Sequence, residues 1–182
     1  MHETTAQAGT APPALDMPWP SVSGYGVRAA VCYIERNGKV LLQLKAAHKF
    51  GGSRWNGPGG KLEEQEEPEE AIIREVREET GLVIENPRFH GIMVLVFGVP
   101  EYYRLTAHIY TAHAFTGKPS GNEEGRLRWF PKNRLPYDLM WVDNRYWLPI
   151  VLAGGCVRGF CVFENDDGRT LLDCQIAVRW AS

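Results

Sequence analysis

The sequence predicts an α/β domain in which a mixed sheet carries a helix on each face. Strand-like apolar runs interleave with two helical patterns, short turns join most neighbouring runs, and no repeat or internal linker interrupts the series. A chain of 182 residues suffices for one domain with a substantial core. Residues 1–23 are rich in Ala, Thr, Pro and Gly and lack periodicity, so a mobile tail is expected there, with the domain at 24–182.

In chain order, residues 26–35 form an apolar run of strand length, and Asn37-Gly38 is a strong two-residue hairpin signal. Residues 40–45 then return antiparallel to the first run. Residues 48–54 form a loop. Residues 89–97 and 103–115 read as a second strand pair around a turn at 98–101, the later strand alternating as a half-buried surface does. A polar loop with Glu123 and Glu124 precedes a strand at 126–130. A turn at 139–144 leads into a second helix, which Asp143 or Asn144 would cap. Pro149 would bend this helix or restrict it to a segment beginning near Pro149. Residues 157–163 and 170–178 close as a hairpin around Asp166-Asp167-Gly168.

Hydrophobic content of 44% and charged content of 23% are ordinary globular values. A net charge of −2 argues against a nucleic-acid polymer as the main partner but not against a single nucleotide. No apolar run reaches membrane-spanning length, and the amino terminus has no basic region followed by an apolar one. Cys32, Cys156, Cys161 and Cys174 lack metal-type spacing, and buried free thiols in a reducing cytosol are expected. These points together predict a cytoplasmic protein.

The stretch with chemical content is 56–82, a glycine-rich turn, an acidic loop and a helix. Pro68 suits a first helical turn, Glu69 and Glu70 favour the positive end of the dipole, and Gly81 supplies the stop. Ile72, Ile73, Val76 and Thr80 share one arc, and Glu75, Glu78 and Glu79 fill the next. Three carboxylates so close repel one another. A divalent metal with oxygen ligands would offset this, and Arg74 would do so in part. The plain alternative is a solvated acidic face.

Gly60, five residues, Glu66, seven residues and then Arg74-Glu75-Val76-Arg77-Glu78-Glu79-Thr80-Gly81-Leu82 resemble the Nudix box at every fixed position. The resemblance implies an α/β/α sandwich that cleaves a nucleoside diphosphate linked to another group. It implies Mg²⁺, or Mn²⁺ in its place, on Glu78, Glu79 and the Gly60 carbonyl. Glu75 would be a further ligand or the base, Arg74 would orient the glutamates, and Glu66 would brace the loop.

Outside the box, Arg54-Trp55-Asn56-Gly57, Glu124 before Arg126, Trp129-Phe130, and the run from Asp138 through Met140-Trp141-Val142-Asp143-Asn144 to Trp147 are similar to the MutT homologues that hydrolyse oxidised purine nucleoside triphosphates, 8-oxo-dGTP above all. That similarity implies a single nucleotide as the substrate, and a monomer is expected. Trp141 would stack on the purine, Asp143 and Asn144 would read its edge, and Asn56 would donate and accept there. Lys45, Leu95 and Phe97 would line the pocket, and Glu124 would add a metal ligand. Three features depart from the pattern: Pro58, Asn144 in place of a second aspartate, and a loop one residue longer at 48–53.

Duller roles stand beside these. Trp141 could fill a rim gap, Asp143 and Asn144 could be only a cap, Asn56 could only satisfy its turn, and Lys45 could be a solvated strand end. Glu123 could replace Glu124, and His90, His108 and His113 read as strand residues. For the whole chain, a pyrophosphatase for another nucleotide or a catalytically silent nucleotide-binding domain are the competing functions.

Overall fold

The computed structural model describes residues 26–98 and 103–180. The tail expected at 1–23 and most of the turn at 98–101 lie outside them.

Strand β1 (Gly26–Arg36) is the spine of the sheet. Along one edge it runs parallel to β7 (Tyr103–Ala112), from Gly26 opposite Arg104 to Ile34 opposite Ala112. Its other edge is shared. β2 (Lys39–Lys45) pairs with residues Ile34, Glu35 and Arg36, and β4 (Gly59–Lys61) with Ala29, Ala30 and Val31. The β1–β2 turn is the expected hairpin, with Asn37 and Gly38 both at positive φ (51° and 70°) as a type I′ turn requires. Between the two partners, the Cys32 N–H donates to the Pro58 carbonyl at 3.0 Å. This divergence opens the cavity described below.

Beyond β2 lie β3 (Trp55–Asn56) and β9 (Gly125–Pro131). Beyond β7 come β6 (Arg88–Phe97), then β10 (Cys156–Phe163), parallel to β6, and the edge strand β11 (Leu171–Arg179). Among the described residues the main sheet has nine strands, and β5 (Val83–Glu85) pairs separately with β8 (Ala114–Thr116). Helix α1 (Pro68–Thr80) and helix α2 (Asn144–Leu152) cover opposite faces. The alternation of β1 shows it. Ala30, Cys32 and Ile34 pack with Ile72 and Val76 of α1, whereas Val31 and Tyr33 pack with Trp147, Leu148 and Val151 of α2.

The mixed sheet with a helix on each face is as the sequence predicts. Four short strands, β3, β4, β5 and β8, were not legible, because two or three residues carry no period. Pro149 neither ends nor delays α2, which starts at Asn144 and runs to Leu152. Its missing N–H falls on the first turns, where only the Arg145 carbonyl loses an intrahelical partner. The expectation of four free thiols is corrected. Cys161 and Cys174 face each other in register across β10 and β11 and form a disulfide, while Cys32 (buried) and Cys156 (half-buried) are free. A hairpin places residues at equal distances from its turn opposite one another, and this pairing appears once the register is drawn.

Ile72 is fully buried on the apolar arc of α1. Ile72→Ala is expected to lower unfolding free energy by about 2–5 kcal/mol, measured by denaturant titration, without altering the carboxylate arc.

Candidate active site

The glycine-rich segment lies flat on β1. Gly59 has φ 148°, and a Cβ there would collide with the Ala30 carbonyl oxygen. A Cβ on Gly60 would lie 2.5 Å from the Glu75 carboxylate carbon, so this glycine lets the strand and the α1 carboxylate meet. The pairing of β4 with β1 and the packing of α1 on β1 thus bring Gly60 and Glu75 together, although 15 positions separate them.

The α1 carboxylates occupy graded environments. Glu79 is buried, Glu75 half-buried and Glu78 exposed. Glu79 accepts the Gly59 N–H at 2.8 Å and the Lys45 ammonium, which also donates to the Gly59 carbonyl at 2.8 Å. Burial pushes the Glu79 carboxyl up, opposed by Lys45. Arg74 serves the others. Its Nε and Nη2 donate to the two Glu66 oxygens at 2.8 Å each, and its Nη1 donates to Glu75 at 2.9 Å and Glu78 at 3.2 Å. The Arg74 bond holds the Glu66 carboxyl down at about 2. Glu66 also accepts the Glu63 N–H at 2.9 Å, which ties the acidic loop to the helix.

Among the described residues no three acidic, His or Cys side chains converge as a ready-made cation cage. Two cations draw the carboxylates apart: Glu79 turns to Lys45, and Glu75 and Glu78 turn to Arg74. The donor set still suits a hard divalent ion. It is all oxygen, it is too acidic for one guanidinium to neutralise, and Glu75 already touches Gly60. Glu124 stands on the same cavity wall, its carboxylate 2.6 Å from Lys49 Nζ, and Glu123 lines the wall beside it.

From this acidic rim a cavity of about 710 Å³ runs inward to a floor made by Tyr33, Asn56, Asp143, Asn144 and Trp147. That is the size of a nucleotide-type site. Asp143 is fully buried. Its Oδ2 accepts the Trp147 Nε1–H at 2.8 Å, and its Oδ1 has no partner. Burial pushes this carboxyl up to about 6. It stands at the N-cap position of α2 but makes no side-chain cap bond, so the capping role expected of it is not what the carboxylate does. Asn144, also buried, reaches Asn56 Oδ1 at 3.5 Å.

Leu95 lines the cavity. Phe97 does not. It stands one layer behind, its ring 5.5 Å from Trp141 and 5.6 Å from Phe50. Trp141 is on the wall, with Phe50 leaning on the indole at 5.4 Å, Arg54 over it at 5.4 Å and Gly168 against it. His90 and His108 are strand residues with backbone partners, Gly155 O at 2.7 Å and Ala29 O at 3.1 Å. Sequence reasoning missed Tyr33, Lys49 and Phe50. The inward face of β1 would have found Tyr33. The loop residues carried no signal.

Residues 24–150 match the NUDIX domain. The chain belongs to the Nudix family. A mouse protein named oxidized purine nucleoside triphosphate hydrolase is 36% identical over 130 residues, covering 71% of this chain and 81% of that protein. The zebrafish protein of the same name is 34% identical over 130 residues, covering 71% and 82%. A crystal structure of a MutT protein from Bacillus halodurans superposes with a TM-score of 0.70 at 25% identity, over 82% of this chain and 97% of that one. In this Nudix hydrolase the box runs from Gly60 on β4 through the acidic loop and α1 to Leu82, and enzymes of its family generally use divalent metals such as Mg²⁺. Its sheet continues past the matched residues through β10 and β11. No helix among the described residues is long and apolar enough to cross a membrane.

Asp143 supplies a pH test. Its folded pKa of about 6 lies above the ordinary 3.8, so between these values the folded state holds more protons than the unfolded one. Stability therefore falls as pH rises through that window. Asp143→Asn is expected to raise stability at neutral pH by roughly 1–3 kcal/mol and to flatten the slope between about pH 4 and 6, read from thermal melts.

Proposed function

We propose that this Nudix hydrolase acts on oxidised purine nucleoside triphosphates of the 8-oxo-dGTP type, releasing the monophosphate and pyrophosphate. Mg²⁺, or Mn²⁺ in its place, would be held by Glu75, Glu78, Glu79, the Gly60 carbonyl and Glu124. The observation that carries the reading is the division of one cavity into two ends. At the rim stand the α1 carboxylates, and at the floor a buried aspartate keeps a free acceptor beside two asparagines. The relatives' name points the same way.

When bound there, such an ion would supply charge to polarise the phosphates and would lower the pKa of a nearby water. Arg74 fixes Glu75 and Glu78 in place, and Glu75, against Gly60, is positioned to take the proton from attacking water. Lys45 and Lys49 add positive charge facing the phosphates. On the floor, Asp143 Oδ1 accepts from the N1–H and exocyclic amine of a guanine edge, and it is ionised above about pH 6. Asn144 contributes an amide whose hydrogen bonding does not depend on pH. The substrate is a single nucleotide and not a polymer or a membrane, and the protein works as a cytoplasmic monomer.

The test is a kinetic panel of 8-oxo-dGTP, 2-oxo-dATP, dGTP and dCTP with Mg²⁺. Higher kcat/KM for the oxidised purines is expected, and equal rates for dCTP would overturn the assignment. Glu78→Gln is expected to cut kcat by about a hundredfold or more while leaving the melting temperature unchanged, because among the described residues the exposed Glu78 carboxylate is bonded to Arg74 alone. Asn144→Asp is expected to narrow the preference for 8-oxo-dGTP over 2-oxo-dATP and to make it pH-dependent, since two adjoining aspartates share a proton and an amide does not. Comparing kcat/KM across pH in both proteins measures it.

A further inference from the structure

Tyr33 has no part in the reading above, yet it lies at the centre of the cavity floor. It sits on β1 where β2 and β4 diverge, is fully buried, and meets Trp147 edge-on with ring centroids 5.9 Å apart. Its hydroxyl is 2.8 Å from Asn56 Oδ1. A third group fixes the direction of that bond. The Gly57 backbone N–H lies 2.9 Å from the same atom and can only donate, so the atom it meets is the amide oxygen. The Tyr33 hydroxyl therefore donates. With Asn144 Nδ2 adding a longer contact at 3.5 Å, the Asn56 oxygen is fully supplied. What Asn56 has left for a ligand is its NH₂ group, which makes no hydrogen bond among the described residues.

On the same floor Asp143 has one oxygen taken by Trp147 and one bare. The two abutting rings thus hold complementary groups: tyrosine leaves Asn56 a donor, and tryptophan leaves Asp143 an acceptor.

We propose that Tyr33 is a specificity-determining positioning residue, which commits Asn56 to presenting a hydrogen-bond donor beside the Asp143 acceptor. The cavity then reads a base edge that carries an acceptor next to donors. This rests on the base-recognition reading above and sharpens it. A guanine-type edge, with O6 beside N1–H and the exocyclic amine, fits the pair. An adenine-type edge, 2-oxoadenine included, sets its exocyclic amine against the Asn56 amine and offers no acceptor there, leaving donor groups unpaired. Burial and the charge of Asp143 keep the Tyr33 phenol protonated, so the Tyr33–Asn56 bond does not switch with pH.

The experiment compares wild type, Tyr33→Phe, Asn56→Ala and the double variant. Tyr33→Phe keeps the ring contact with Trp147 and removes only the hydroxyl. It is expected to raise KM for 8-oxo-dGTP about five- to tenfold with kcat within about twofold, and to narrow selectivity over 2-oxo-dATP by a similar factor. In the Asn56→Ala background it should add nothing. Additive effects, or an equal loss on every substrate through kcat, would overturn the proposal and make Tyr33 a packing residue. Should wild type prefer a nucleotide outside the oxidised purines, the substrate reading fails, and the same cycle on that nucleotide still decides the role of Tyr33. A readout free of turnover is exchange of the Tyr33 hydroxyl proton by NMR, expected to be slow in wild type and fast in Asn56→Ala. Fast exchange in both removes the bond and the proposal with it.

Discussion

The repulsion among three glutamates on a single helical arc is the constraint around which the site is arranged. At about 4 Å, two like charges cost roughly 1 kcal/mol in water and about 4 kcal/mol in the partly screened surroundings of a protein surface. Two cations answer it in different ways. Arg74 uses a planar fork to bond Glu66 on one side and Glu75 and Glu78 on the other, a geometry that the single ammonium of lysine does not provide. Lys45 comes from β2 to the most buried carboxylate, Glu79, where an unpaired charge would be the most costly. The glycine turn, the acidic loop and α1 are thereby fastened into one unit, because each member of the network comes from a different piece of it.

β1 turns that unit into a site. Its outward residues bury α1 and its inward residues bury α2, so one strand sets the distance between the α1 carboxylates and the cavity floor. Dividing its edge between β2 and β4 leaves a gap in the ladder. The Cys32 N–H in that gap is still satisfied, since it bonds the Pro58 carbonyl, so the opening does not orphan that amide. The unpaired Asp143 oxygen at the far end is a different matter. A fully buried acceptor without a partner is a standing cost in the free protein, and it is the kind of cost that a ligand donor removes.

How much of this is legible in the sequence follows from the range of the interactions. The two arcs of α1, its Pro68 start and Gly81 stop, and the Asn37-Gly38 hairpin are local, and a reader of the sequence reaches them by counting residues. Arg74 with Glu66 and the α1 glutamates is nearly as local. The rest needs strand register. Cys161 opposite Cys174 appears only after β10 and β11 are aligned, and a one-residue slip would place the pair on different rows. Asp143 reads as a helix cap because Asp before an apolar helix usually is one, whereas the indole of Trp147 one turn on draws the carboxylate inward. Phe97 and Trp141 were placed by resemblance. The packing of Phe50, from the loop that is one residue longer, sets one behind the wall and partly covers the other.

The two ends of the cavity differ in how they are encoded. The acidic rim is written largely in one contiguous stretch, 59–79, while the floor is assembled from Tyr33, Asn56 and Asp143, which lie 23 and 87 positions apart along the chain. A contiguous stretch is inherited, transplanted or lost as a unit. A floor drawn from three elements changes one residue at a time, each change leaving the hydrolytic apparatus intact. On the proposed reading of the base, selectivity can drift through the floor without passing through an inactive ancestor, and redesign has the floor positions to vary and one block to leave alone.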